Sequence, residues 1–179
     1  MKITKELLKE KGACAAGYRD FLKEYPVDKY PDGVEYQELL DCCAKKNFSY
    51  GSWLLGAFGK TDEVRKIDGD LIVEKGIIFA GRLEVKGCIK AGWGIKAGGG
   101  IEAGGGIEAG NGINAGDGIE AGEDIKAGNG INAGDEFGIY AGLCCRITNK
   151  TQRKIIAKKR PENIMCGEFE EKSDSEGKA

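Results

Sequence analysis

The chain has 179 residues, 30 of them glycine, with 31% charged residues and a net charge of only −2. The length allows one domain, or a small domain joined to a repeat array. Most glycines sit at fixed positions, which argues for a packed repeat and against disorder, and no apolar run reaches the length of a membrane span.

Residues 1 to 66 read as helical. Thr4 can cap a first short helix, although Leu7 stands where a capping box wants Glu or Gln, and Gly12 ends it. A second helix is expected over Ala13 to Tyr25, with Cys14, Tyr18, Phe21 and Leu22 on one face, stopped by Pro26. Pro31-Asp32-Gly33 is turn chemistry. Two further helices are expected from Glu35 to Lys46 and from Ser49 to Phe58. The start, Met1-Lys2-Ile3-Thr4-Lys5-Glu6, does not read as a signal peptide, so the chain is expected in the cytoplasm with its seven cysteines reduced.

From Ile67 the period changes. Leu71, Ile77, Leu83 and Ile89 are six residues apart, and Ile95, Ile101, Ile107, Ile113, Ile119, Ile125 and Ile131 continue the column. A second column, Ile67, Val73, Phe79 and Val85, becomes Ala from Ala91 onward. Strand side chains alternate, so both columns point into one core while the residue between them faces solvent. Gly-x-Gly then supplies corners, through its backbone freedom and its small size. The expected fold is α+β: a helical domain over 1–66, then a three-sided parallel β-helix over 67–147 with about 18 residues per coil, its handedness left open. A basic cap over 148–166 and a disordered tail over 167–179 complete it.

A coil of 18 competes with a two-sided coil of 12. At 18, Lys90, Glu108 and Lys126 stack in alternating charge, Asn114 meets Asn132 and Asn111 meets Asn129; at 12 both asparagine ladders disappear. Glu102 above Glu120 and Asp117 above Asp135 count against 18. Near the end the register is open: Phe137 continues the Ile column, or Ile139-Tyr140-Ala141 is a further triplet after a two-residue insertion. Both alternatives place the apolar residues inward.

Residues 87 to 142 carry three lysines against eight acids, residues 143 to 160 seven basic residues and no acid, and residues 161 to 179 six acids and two lysines. The basic run, with Arg146, Lys150, Arg153, Lys154, Lys158, Lys159 and Arg160, offers a nucleic-acid contact through residues 146–160; a solvated capping segment is the plainer reading. The acidic rod can also be read as an imitation of DNA, though its charge is small. Trp93 stands in a corner column otherwise filled by Gly, Asn, Asp and Glu, so it is either a solvent-facing contact residue or the seat of the N-terminal helices. The expected partner-binding residues are Trp93, Lys90, Glu108, Lys126, Arg153, Lys154, Lys158 and Lys159.

The spacing of Ala13-Cys14, Gly17, Phe21 and Trp53-Leu54 resembles the short helical segments that open many phage and mobile-element proteins. The hexads resemble the left-handed hexapeptide-repeat transferases, whose small residue usually precedes the large one, whereas here the order is Ile-x-Ala-Gly. Residues 67 to 142 also resemble the bactofilin-like, polymer-forming β-helices. The transferase resemblance implies a histidine base, and the chain has no histidine. Cys42-Cys43 and Cys144-Cys145 lack the Cys-x-x-Cys spacing of zinc sites, and the acidic corners lack the nine-residue period of calcium β-rolls. No catalytic residue, metal or cofactor is therefore expected. The function expected is a rigid scaffold binding a macromolecular partner, in its most concrete form a phage-encoded, anti-CRISPR-like inhibitor acting on a host defence complex in the host cytoplasm. A bactofilin-like rod polymerising end to end is the alternative, and a transferase a remote one. A homo-oligomer is compatible with each, and a membrane partner with none.

Overall fold

The computed structural model describes residues 1–144 and 149–173. The Thr4 hydroxyl accepts the Leu7 N–H at 3.3 Å and starts α1 (Lys5–Glu10). α2 (Ala15–Glu24), α3 (Tyr36–Lys46) and α4 (Phe48–Phe58) follow close to the expected spans. A small antiparallel pair, β1 (Lys2–Ile3) with β2 (Val34–Glu35), is added to the expectation and ties the first residues to the start of α3.

The solenoid makes about six turns and starts with β3 (Val64–Ile67), β4 (Leu71–Val73) and β5 (Ile77–Phe79). β6 (Arg82–Val85), β7 (Ile89–Ala91), β8 (Ile95–Ala97), β9 (Ile101–Ala103), β10 (Ile107–Ala109) and β11 (Ile113–Ala115) repeat the triangle. β12 (Ile119–Ala121), β13 (Ile125–Ala127), β14 (Ile131–Asn132), β15 (Ile139–Ala141), β16 (Lys154–Ala157), β17 (Ile164–Cys166) and β18 (Glu168–Glu171) finish it. All these strands pair in parallel and form three faces. The first runs β3-β6-β9-β12-β15-β17, the second β4-β7-β10-β13-β16-β18 and the third β5-β8-β11-β14.

Pairs such as Ile107 with Ile125 and Ile113 with Ile131 show the 18-residue coil directly. The Asn132 amide donates to the Asn114 side-chain oxygen at 3.0 Å, and Asn129 donates likewise to Asn111. Both ladders expected from the sequence are present. Each inward Ile from Ile89 to Ile131 is essentially inaccessible to solvent, which contributes about 2–3 kcal/mol per side chain.

The corner glycines owe their place to proximity. Among the described residues positive φ occurs only at Gly12, Gly33, Gly59, Gly142 and Gly167, so the regular corners need no special backbone angle. A Cβ at Gly116, however, would lie 2.0 Å from the Gly98 carbonyl oxygen of the coil below. The expectation of backbone freedom is corrected here: close stacking is what excludes a side chain.

Three readings of the C-terminal part change. Ile139 pairs with Ile119, so the two-residue insertion is the register adopted, and Phe137 is left 44% exposed at a corner instead of pointing inward. Lys154–Ala157 is a strand on the second face, not a cap laid over the end, because Ile155-x-Ala157 keeps the inward triplet. Glu168–Glu171 pairs with that strand, so the chain stays ordered past residue 167. The stretch between β16 and β17 passes through Pro161, which is buried and has no N–H to extend a ladder. Cys145, Arg146 and Ile147, and residues 174–179 of the expected tail, lie outside the described residues.

The helices dock on the third face. Ile78 occupies an outward position in β5, yet it is buried in the helical core with Ala80. Gln37 of α3 completes the hydrogen bonding there: its Nε2 donates to the Ile78 carbonyl at 2.8 Å and its Oε1 accepts the Ala80 N–H at 3.0 Å. Gly51 of α4 leaves room for Ile78, whose Cδ1 would lie 2.4 Å from a Cβ at that position. No helix among the described residues is long and apolar enough to cross a membrane.

Candidate interaction surface

The expected partner-binding residues converge on the second face and its two edges. Its outward column reads Ile72, Lys90, Glu108, Lys126, Ile156 and Glu170 in register. Along one edge, backbone hydrogen bonds stack Lys75, Trp93, Asn111, Asn129 and Lys158, with Lys159 beside the last. Along the other edge Arg153 and Lys154 lead into β16. Eight residues scattered over 70 positions of sequence thus share one side of the prism: an 18-residue coil brings Lys90, Trp93, Glu108 and Lys126 there, and a longer, irregular coil brings the other four.

Most of the charge on this face is matched internally. Lys90 pairs with Glu108 at 3.1 Å, and Lys126 with Asp124. Arg153 donates to Glu168 at 2.7 Å, Lys150 approaches the same carboxylate at 3.8 Å, and Lys154 pairs with Glu170. Arg160 lies over the Phe169 ring at 5.5 Å. The acidic end of the chain, folded back as β18, therefore neutralises much of the basic run. Phosphate binding by this run would have to compete with those pairs.

The Arg153 hydrogen bond, with Lys150 and Lys154 nearby, holds the Glu168 carboxyl below its ordinary value of 4.5. A lowered carboxylate pKa stabilises the fold above the unfolded value, and that contribution is lost as pH falls through the lowered one. Acidification from pH 6 to pH 3 is expected to loosen β18 first. Hydrogen exchange over 168–171, corrected for intrinsic rates, should accelerate while β9 to β11 stay protected; uniform exchange across both regions would contradict this.

Exposed apolar surface remains at the other end of the same face. Trp93 is 52% and Ile72 66% exposed, in neighbouring coils, with Lys90 stacked on Ile72. The helices pack on the first strand of the third face and leave Trp93 open, so the expectation that they are seated on Trp93 is overturned and the side chain faces solvent. Its indole N–H makes no hydrogen bond among the described residues, leaving a large apolar body with a free donor. Ile72 was not singled out from the sequence, although a signal was there. Middle positions of the triplets are otherwise mostly Lys, Glu or Asn, and the aliphatic exceptions Ile72, Ile78 and Ile156 mark places where the surface departs from plain solvation.

The first face is acidic. Glu84, Glu102 and Glu120 stack in register, and Arg82 bridges the first two at 3.1 and 2.7 Å. Lys66 adds a contact to Glu84 at 3.1 Å, and these bases hold the Glu84 carboxyl below its usual value, Lys66 first and Arg82 after it.

Fold and surface together define a parallel β-solenoid of about six turns carrying a small helical domain on one face. Compared with known protein families, characterised proteins and solved structures, the chain matches none.

Proposed function

We propose that the protein is a non-enzymatic binding scaffold whose second face docks a protein partner through Trp93 and Ile72. The observation that carries this reading is the uncovered Trp93–Ile72 pair on a lattice hydrogen-bonded from coil to coil. Aromatic anchors on rigid elements bind at low entropic cost and dominate interface energies. Lys90, Glu108, Lys126 and Lys159 then form a charged rim that favours one orientation of the partner. The absence of histidine from the sequence removes the base on which hexapeptide-repeat acyl transfer relies, which supports the scaffold over the transferase reading.

The most concrete version is a phage-encoded, anti-CRISPR-like inhibitor that occupies a host defence complex in the cytoplasm. It is supported by the resemblance of the opening helices to phage and mobile-element segments. The test compares immobilised wild-type protein with the Trp93→Ala, Ile72→Lys double variant in lysate from a bacterial host. A protein retained by the wild type at high salt should bind the variant at least about thirtyfold more weakly, since one anchor residue is worth about 2 kcal/mol or more. Equal retention by both, or retention of nucleic acid alone at low salt, would defeat the proposal.

A further inference from the structure

The helical domain contains a cavity of about 550 Å³ between α2 and the α3–α4 hairpin, on a different part of the molecule from the partner surface. We propose that this cleft is a binding site for a neutral aromatic small molecule about two rings in size. Its volume falls within the range of ligand pockets, ~300–1,000 Å³. Its walls include Phe21, Tyr25, Leu39, Cys43, Tyr50 and Trp53, so aromatic faces and thiols meet the occupant.

The volume and one closed end set the ligand's size. Glu24 of α2 and Lys46 of α3 pair at 2.5 Å and close one end. Towards the other the lining narrows where a Cβ on Gly17 would lie 3.6 Å from the Tyr50 ring, then continues to Cys14 and Ala13 at the mouth. A continuous peptide helix or strand would need a channel open at both ends. A fused or linked pair of rings fits a space of about 550 Å³ that opens at one end.

The lining also sets the ligand's charge. Burial pushes the Cys43 thiol up to about 12 and, with a hydrogen bond to Cys42, raises the Tyr25 hydroxyl well above its ordinary range. Both stay protonated at neutral pH, and Glu24 and Lys46 satisfy each other. Asp20 and Lys23 also border the cleft, but from exposed positions on α2 where water solvates them, so the buried part of the lining is uncharged and favours a neutral ligand.

Cys14 provides the readout. It lines the cavity and is exposed, with its Sγ accepting the Gly17 N–H at 3.3 Å, whereas Cys88 is exposed on a distant solenoid corner. The probe is dansylamide, a neutral molecule with two fused rings whose fluorescence rises in apolar surroundings, added to the full chain. At about four times its dissociation constant it should slow maleimide labelling of Cys14 about fivefold and leave Cys88 unchanged. Ala13→Trp, which fills the mouth of the cleft, should abolish the fluorescence rise. Absence of probe binding overturns the proposal, as does binding that leaves Cys14 unprotected or persists in a folded Ala13→Trp protein. If that variant does not fold, the labelling result on the wild type decides alone.

Discussion

Replacing Gly122 with Ala is expected to destabilise the solenoid by more than about 3 kcal/mol, a fall in Tm of roughly 10 °C for a chain of this size. The added Cβ would lie 1.9 Å from the Gly104 carbonyl oxygen and 2.8 Å from its carbon. Neither coil can move away cheaply. The Gly122 N–H donates to the Ala103 carbonyl at 2.9 Å, and the Gly104 N–H donates to the Val85 carbonyl at 2.9 Å, so any shift breaks ladder bonds on both sides. Gly130 is the control. There a Cβ would meet only the Asn132 side-chain nitrogen, at 3.7 Å, and Gly130→Ala is expected to stay within about 1 kcal/mol of the wild type. Thermal unfolding followed by circular dichroism separates the two; equal effects would show that backbone proximity is not what the corner glycines serve.

The second large effect concerns the ends of the prism. Arg65 pairs with Leu83 in the inward aliphatic column, lies 4.5 Å from the Phe79 ring centre and reaches Asp41 of α3 at 3.9 Å. At the opposite end Phe169 stacks on Ile155 in the inward column and Arg160 lies over its ring. Each open end thus carries a guanidinium over an aromatic ring, and an inward-pointing charge on an edge strand blocks pairing with another chain. The double variant Arg65→Leu, Arg160→Leu is expected to self-associate end to end, each newly buried leucine favouring association by about 2 kcal/mol or roughly thirtyfold. Sedimentation over a hundredfold concentration range should show growing species for the variant and a constant mass for the wild type. A wild type that itself grows into long species would favour the polymerising-rod reading and remove the capping role of the two arginines.

The objections raised against the 18-residue coil show what sequence reasoning lacked. Glu102 does sit in register with Glu120, and Glu84 lies below Glu102, but Arg82 and Lys66 offset the carboxylates at one end of that column. Asp117 pairs with Lys60 at 2.8 Å, from the segment that joins helices to solenoid. Lys66 stands in the carboxylate column itself, one coil below Glu84, and an 18-residue step reaches it; Arg82 and Lys60 reach in from other positions. Counting along the hexads finds the repulsion but not those two partners.

The candidate surface was partly legible for the same reason. Lys90, Glu108, Lys126 and Trp93 lie within the regular coils, where an 18-residue step fixes their neighbours. Arg153, Lys154, Lys158 and Lys159 were recognised as a basic run, yet their place on the same face, and their pairing with Glu168 and Glu170, depends on how the last coils close. The helical cleft had no sequence signature, because α2, α3 and α4 carry ordinary amphipathic patterns and only their spacing leaves a cavity.

The sequence by itself determined the prism. A six-residue alternation of Ile and Ala with small corners admits a narrow three-sided core, and like-residue ladders select its coil length. Tertiary structure alone decided the ends and the attachments. The register step is 20 residues from Ile119 to Ile139, 30 from Ile125 to Ile155, 25 from Ile139 to Ile164 and 14 from Ile155 to Phe169. No fixed period predicts such steps, since a strand added to an existing edge is selected by the backbone groups and core surface that edge exposes. The docking of the helices through Gln37 and Ile78 follows the same logic. A local pattern sets which face of a strand turns inward, while the partner on its other side is chosen by whatever the rest of the chain brings within hydrogen-bonding distance.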